Sequence, residues 1–508
     1  MQKDVKFTLP EDFNQHEFIR GLQDLYLIQQ EKTFREHYVY YDTFDWRLYN
    51  KSLVLCSTAQ TLLLQSLETS TVLERVTITV PPVLLSDFPS GSLQERVAPI
   101  IETRALLKLF AMDAQCTHIR ILNNDAKTVL RLLLEVDTLA EATDAPPFAA
   151  CLWLKPVRGY DKAAKKFSKW LINKGWTIAH DHIYLQGLAA VKKQPGAYSS
   201  KIRVHLQPTL RSDEAAKVIL KELFHIIKCN AEGVKNDIDT EFLHDFRVAM
   251  RRARVVLGQM KKVFPTDVTA QLKKDCAYLG TMTNRVRDLD VYLLHKARYK
   301  ALLPPPVRPD IEPLFAHLQR ERTRALRTLG RRLDSQTYAD ILRRWDAFLA
   351  QPPGGDSAAA NASRPIIEVV RKRLRRRCRS IVQLGTPLLV EPDDERLHAL
   401  RIACKKLRYV LECFVSLFPG KKTTVLIKHL RALQDNLGRG HDLFVQQEAL
   451  RHFATTFAGP DQQTHNTLQA LDSLMCRLEE EKQVVIQAFP ALFAALAARI
   501  GDGSEPYG

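Results

Sequence analysis

The chain lacks any cysteine pairing. Its nine cysteines in 508 residues include no C-x-x-C pair and no metal-ligand spacing. That excludes a disulfide framework and a cysteine-based zinc site, and reads as isolated thiols in a reducing compartment. No run of about 18 apolar residues is found, so no transmembrane helix and no membrane insertion is expected. The opening MQKDVKFTLPEDF has no apolar stretch of the kind a secretory signal needs. A cytoplasmic location is therefore expected. Aromatic residues make up only 8% of the chain, and its basic stripes are not interleaved with them. The stacking platforms of single-strand nucleic-acid binders are thus not evident. Acidic residues are in short supply, but only in one region. Residues 1–195 hold 23 Lys and Arg against 22 Asp and Glu, whereas residues 196–508 hold 51 against 35. Nearly all of the net +17 lies in the second part, which suggests a polyanionic partner for that region alone.

Residues 1–190 mix strand and helix signals. HYVYYDT from His37 and VLERVTITV from Val72 alternate and are rich in Val, Thr and Tyr; LRLLLEVDTL from Leu130 is also strand-like. DKAAKKFSKWLINKGW from Asp161 is an amphipathic helix with Gly175 just past its end. This part is expected to be an α+β domain with antiparallel strands, followed by a linker over 191–204. Beyond it the pattern is helical, with helices near 213–232, 240–263, 267–302, 308–333, 335–350, 364–385, 393–418, 422–454, 462–487 and 489–500. A Pro-, Gly- and Ser-rich break over 352–365 divides these into two bundles of about four main helices, 205–351 and 366–500, before a tail over 501–508.

Each bundle holds one copy of a repeat. LHDFRVAMRRAR from Leu243 recurs without a gap as LHALRIACKKLR from Leu397, 154 residues on. Phe264-Pro265 and Phe418-Pro419 follow at the same offset, as do Asp288-Leu289 and Asp442-Leu443. At about 100° per residue, His244, Arg247, Arg251 and Arg254 share a narrow arc with Arg252 beside it. Phe246, Ala249, Ala253, Val256, Leu257 and Met260 lie opposite and form the core face. In the second copy His398, Arg401, Lys405 and Arg408 form the stripe with Lys406 beside it, opposite Leu400, Ala403, Leu407, Val410 and Leu411. Like charges so stacked repel, and an anion on the stripe relieves that repulsion. Arg285, Arg287, Arg439 and His441 extend the basic surface, and RKRLRRRCR from Arg371 is the densest basic run. His244-Asp245 and His441-Asp442 look superficially like metal-binding pairs, but cations surround them and no metal site is expected.

These residues resemble the CHAD family, named for conserved histidines in an α-helical domain, over roughly 205–500. The resemblance rests on H-x-x-R-x-x-x-[RK]-[RK]-x-R occurring twice and on the RDLDV segment at Arg287. It implies an all-α region of two pseudo-twofold-related four-helix bundles with a basic cleft between them that binds inorganic polyphosphate. The implied binders are His244, Arg247, Arg251, Arg252, Arg254, Arg287, His398, Arg401, Lys405, Lys406 and Arg408, with Tyr409 and Lys428 added. A granule-associated pool of polyphosphate is a further implied setting.

The N-terminal part is similar to the CYTH family of triphosphate tunnel enzymes, an antiparallel β-barrel class. YYDTFDWRLYNKSLVL from Tyr40 and VRGYDKAAKKFSKWL from Val157 carry the resemblance. The family opens on E-x-E-x-K, whose glutamates hold a divalent metal. Here the stretch is Gln2-Lys3-Asp4-Val5-Lys6. Where the family has arginines, Cys56, Ser57 and Thr58 stand; where it has alternating glutamates, the chain reads Cys151-Leu152-Trp153-Leu154. Hard oxygen ligands for Mg²⁺ or Mn²⁺ are lost, so a degenerate domain without catalytic residues or cofactor is expected. The expected function is polyphosphate binding without catalysis. The alternatives are a metal-dependent triphosphatase targeted by the helical region, and a nucleic-acid binder; nucleic acid is otherwise expected only as a nonspecific polyanion.

Overall fold

The computed structural model describes residues 4–10, 13–141, 146–179, 181–352, 354, 359–391, 393–456 and 462–501. Gln2, Lys3, much of the break at 352–365 and nearly all of the tail at 501–508 lie outside these. The chain divides into two compact units, Met1–Ser199 and Ser200–Gly508.

Among the described residues the first unit has ten strands: β1 (Val5–Thr8), β2 (Leu27–Gln30), β3 (Phe34–Thr43), β4 (Leu53–Ser57), β5 (Thr61–Ser66), β6 (Val72–Thr77), β7 (Leu106–Leu122), β8 (Thr128–Leu139), β9 (Ala149–Pro156) and β10 (Thr177–Ile178). Its helices are α1 (Gln15–Leu25), α2 (Ser92–Ile101), α3 (Asp161–Asn173) and α4 (Ile183–Ala190). The sheet order is β10-β1-β9-β8-β7-β3-β4-β5-β6, with β2 also on β7. Every pairing is antiparallel, as the alternating segments predict. Gly175 has φ +86°, the left-handed conformation that stops α3 and that glycine adopts without steric cost. One sheet face presents Leu132, Leu134, Leu152 and Leu154 to α1 and α3, where Leu22, Phe167 and Leu171 meet them. The other face receives Tyr184 and Leu188 of α4 against Tyr40, Phe110 and Met112.

The second unit is helical: α5 (Ser212–Lys235), α6 (Thr240–Gln259), α7 (Thr266–Leu294), α8 (Lys296–Leu302), α9 (Glu312–Leu333), α10 (Gln336–Ala350), α11 (Ile366–Gly385), α12 (Asp394–Cys413), α13 (Lys421–Thr456) and α14 (Gln462–Gly501). The duplication at 154 residues extends well beyond the repeated motif. Asp239 caps α6 by accepting from Glu241 and Phe242 backbone N–H groups, and its counterpart Asp393 caps α12 through Arg396 N–H. The N–H groups of Met260 and Phe414 close the two helices on Val256 and Val410. At the starts of α5 and α11 the halves join reciprocally. Ser212 N–H donates to Arg364 O at 3.0 Å, and Ile366 N–H donates to Leu210 O at 2.8 Å. Each contact is the other's image under the 154-residue shift, the signature of a twofold interface. α6 and α12 pack directly on each other, as do α5 and α11. The two bundles are therefore α5, α6, α7 and α9, with α10 beside them, and α11 to α14.

The halves share part of their core: Tyr299, Leu303, Ile311 and Phe315 sit in one cluster with Leu443, Leu450, Leu474 and Leu478. Two expectations need correction. The segments expected at 462–487 and 489–500 form one helix that runs through Pro490. Phe489 and Phe493 are buried on either side of the proline, and that packing offsets the hydrogen bond it cannot make. Finally, α14 is long and apolar enough by composition to cross a membrane, contrary to the expectation that no such segment exists. Gln487, Pro490 and Arg499 hide it from a search for an unbroken run. Its apolarity comes from two sources: Val485, Phe489, Phe493 and Leu496 turned inward, and an outer face of Ala488, Ala491, Ala494 and Ala498.

Candidate anion-binding site

The predicted core faces of the two repeated helices are buried throughout, from Phe246 and Ala253 in α6 to Leu400 and Leu411 in α12. The opposite stripes are therefore fixed in space, and the packing of α6 on α12 turns them toward one another. Charge effects cross between the copies: Arg251 of α6 depresses Lys405 of α12, and Arg254 of α6 depresses Lys406.

Equivalent residues take equivalent partners. Arg287 Nη2 donates to His244 Nδ1 at 3.2 Å, and its counterpart His441 lies with its ring centroid 4.4 Å from that of His398. Since arginine can only donate, Nδ1 of His244 accepts and is unprotonated there. Arg247 reaches α7, where it donates to Gly280 O, Thr283 Oγ1 (2.6 Å) and Asn284 Oδ1 (2.9 Å). Arg401 reaches α13 alongside Gly438, the counterpart of Asn284, and approaches Asp442 at 3.5 Å.

The cations are poorly neutralised. Arg247 has three neutral acceptors. Burial lowers it to about 10, with Arg251 and Arg287 pushing in the same direction and Asp288 opposing them. Lys405 falls to about 7 through burial first, then through Arg251, Arg401 and Arg408, with Asp442 opposing. Buried N–H groups without a hydrogen-bond acceptor among the described residues include Nε of Arg247, Arg251, Arg252 and Arg408 and Nη1 of Arg287. Arg408 Nε is only within ion-pair range of Glu412, at 3.8 Å. Half-buried guanidinium groups carry a desolvation cost that acceptor oxygens offset, and here that supply is short.

A cavity of about 450 Å³ opens on the second stripe. Arg401, Lys405 and Arg408 of α12 and Arg439 of α13 line it, and His295 and Arg298 enter from the first half. Two carboxylates, Asp435 and Asp442, share the lining. Arg298 and Arg439 both engage Glu481. The α7 sequence past the aligned region gave no signal for His295 or Arg298, which reach the cavity because α7 and α8 run on toward the second bundle.

The remaining predicted residues are more scattered. Arg252 donates to Ser200 O and to Glu412 at 2.9 Å, so it is already held. Tyr409 is buried, with Arg252, Lys405 and Arg408 all near its ring at 5.6 to 6.0 Å. Its place is beneath the cations, which it orients. Glu412 takes Arg252, Arg408 and Arg431 together, and sequence reasoning missed it. Its counterpart in the first copy is Gly258, so this acidic clamp exists on one side only. Arg254 is exposed; Lys406 is half-buried, depressed by burial and then by Arg377 and Arg254. These belong to a second basic strip with Arg373 and Arg377 of α11, the part of the RKRLRRRCR run that turns inward; Arg377 donates to Gln259 at 2.8 Å. Lys428 is exposed on α13, two helical turns before Asp435 on the same face.

In the first unit, Cys116, Glu135 and Cys151 lie side by side across β7, β8 and β9, and Lys6 faces Trp153. Trp153 Nε1 donates to Glu135 at 3.0 Å, and Lys6 lies over the indole at 5.3 Å. Asp137 is wholly buried and pushed up to about 8, by burial first and then by Glu135, with Lys6 opposing. A carboxyl that keeps its proton at neutral pH, two thiols and an indole do not fit a hard divalent metal. Among the described residues no group of three or more His, Cys, Asp and Glu is arranged to hold one. The raised Asp137 has a consequence for stability. Its folded value lies above the unfolded carboxylate value, so the folded state keeps the proton longer and stability declines as pH rises from about 4 to about 8. Asp137→Asn should stabilise this unit at pH 8 and leave it nearly unchanged at pH 4. Melting of the two proteins at both pH values checks this; equal shifts at the two would contradict it.

Residues 218–451 match the family model described as the CHAD domain. No curated protein matches the chain. Among solved structures, the chain is similar to the CHAD domain from the plant Ricinus communis, with 24% identity and a TM-score of 0.49 over 59% of this chain and 97% of that one. It is also similar to PptA from Streptomyces chartreusis, with 17% identity and a TM-score of 0.44 over 56% and 100%. A third similarity is to HpAC1 from Hippeastrum, described as a putative adenylyl cyclase with a dominant triphosphatase activity, with 15% identity and a TM-score of 0.28 over 39% and 99%.

Proposed function

We propose that this chain, whose residues 218–451 form a CHAD domain, binds inorganic polyphosphate along the paired cationic stripes of α6 and α12. One observation carries the reading: half-buried guanidinium groups on both stripes have buried N–H groups with no acceptor among the described residues, around a lysine brought down to about 7. A flexible chain with about one negative charge per unit supplies many acceptor oxygens and needs no base-reading or stacking surface. Arginine forks suit its phosphates bidentately. The first unit takes no catalytic part in this reading, and tripolyphosphate incubated with the protein and Mg²⁺ or Mn²⁺ is expected to release no phosphate.

Calorimetric titration with polyphosphate of defined length at pH 6 and pH 8 tests the binding. A bound polyanion restores the proton to Lys405, which faces Arg251 of α6, Arg401 and Arg408 of its own helix and Asp442 of α13. Binding therefore takes up a proton above pH 7, and affinity falls as pH rises through that value. The expected loss from pH 6 to pH 8 is about tenfold. Lys405→Arg, which keeps its charge, should flatten the profile. Absence of binding at both pH values overturns the proposal.

A further inference from the structure

Next to the basic cavity, α12, α13 and α14 enclose a second one of about 400 Å³ with the opposite chemistry. Leu437, Phe444, Val485, Ile486 and Phe489 form its apolar lining, and the paired rings of His398 and His441 form one wall. Lys482 marks one end, 3.2 Å from Asp394 and over the Phe444 ring at 5.4 Å. Nδ1 of His398 is buried and has no hydrogen-bond partner among the described residues.

The duplication supplies a built-in comparison. The counterparts of Leu437, Gly440, His441 and Phe444 are Thr283, Val286, Arg287 and Asp290. In the first copy, Arg287 bonds His244, Asp290 takes Arg322 Nε at 2.6 Å, and Arg322 continues to Asp237. Ion pairs occupy that place. In the second copy Leu437, Gly440, His441 and Phe444 stand at these four positions, and the ion pair beside them is Lys482 with Asp394. A Cβ on Gly440 would stand 3.4 Å from Val485, so the missing side chain is part of what gives the cavity its width. Asp394, Glu395, Asn436 and Lys482 add polar groups to the lining beside the two histidines. The volume falls in the range of small-molecule sites, which are mostly apolar with a few placed polar groups.

We infer that this cavity binds a small uncharged molecule of one or two rings bearing a single hydrogen-bonding group for His398. The site differs in chemistry from the anion site and shares only His398 with it. His398 and His441 form the boundary between the two.

The test uses the full chain and N-phenyl-1-naphthylamine, an uncharged two-ring fluorescent probe. Saturable binding at one probe per chain, with the blue shift of an apolar site, is expected. Ile486→Trp fills the cavity, and Phe444→Asp restores the first copy's residue at a partly exposed position; each should weaken the probe at least tenfold. Arg251→Glu with Lys405→Glu should leave it unchanged. Circular dichroism melting of each variant identifies any that fails to fold, and the two independent cavity variants keep the test open if one does. No saturable binding, or equal binding by folded cavity variants, overturns the inference.

Discussion

Arg251→Glu combined with Lys405→Glu is expected to weaken polyphosphate binding by about 10³-fold while leaving the helical unit folded. Removing one member of a buried charged contact costs roughly 2–5 kcal/mol, and each 1.4 kcal/mol is tenfold in affinity. Reversal at two facing positions adds repulsion to that loss. The fold should tolerate it because neither residue has an acid within salt-bridge distance among the described residues, and both stand among Arg247, Arg401 and Arg408. New carboxylates there neutralise crowded cations, so the melting temperature should hold or rise. Extending the reversal to His244 and His398 should deepen the loss. Isothermal titration with melting curves for each variant checks both halves. Retained binding would remove the stripes from the account, and a fall in melting temperature would mean they are structural.

The second large effect is that of salt. If six phosphates are neutralised, by cations such as Arg247, Arg251, Arg401, Lys405, Arg408 and Arg439, log affinity should fall against log salt with a slope of roughly −4, the value for six contacts on a single-stranded polyanion. Between 50 and 500 mM salt that amounts to about 10⁴-fold. The double reversal should flatten the slope by at least the two contacts it deletes. A slope near zero would mean that binding, if seen, is not made by these groups.

The repeat itself was fully legible. Its period placed Phe246 and Leu400 in the core and the cations opposite, and the constant offset of 154 residues marked the duplication, while the twofold relation was implied by the resemblance to the CHAD family. The pairing of residue 244 with 287 and of 398 with 441 was not legible, because it depends on how α6 rests on α7 and α12 on α13. His295 and Arg298 were missed for a related reason: helix length beyond the aligned region carries them into the second half's cavity. Glu412 lies one turn past Arg408, outside the motif, and yet sets the partners of three cations. The alternating strands of the first unit were legible from Val, Thr and Tyr spacing, whereas its two cysteines flanking Glu135 meet only through strand register.

The asymmetry between the copies bears on how a chain-like ligand would lie. The first stripe is bounded by Arg287 and neutral acceptors on α7, and the second by a cavity with carboxylates and by the Glu412 clamp. A ligand spanning both meets the less neutralised cations on the α6 side, so single reversals there should cost more than single reversals at Arg408.

The most direct measurement is competition. Fluorescent long-chain polyphosphate bound to the full protein is challenged with duplex and single-stranded DNA at equal phosphate concentration and 150 mM salt. The account predicts that unlabelled polyphosphate displaces the probe and that DNA at the same phosphate concentration does not. Equal displacement by DNA would contradict it and make the helical unit a general polyanion surface.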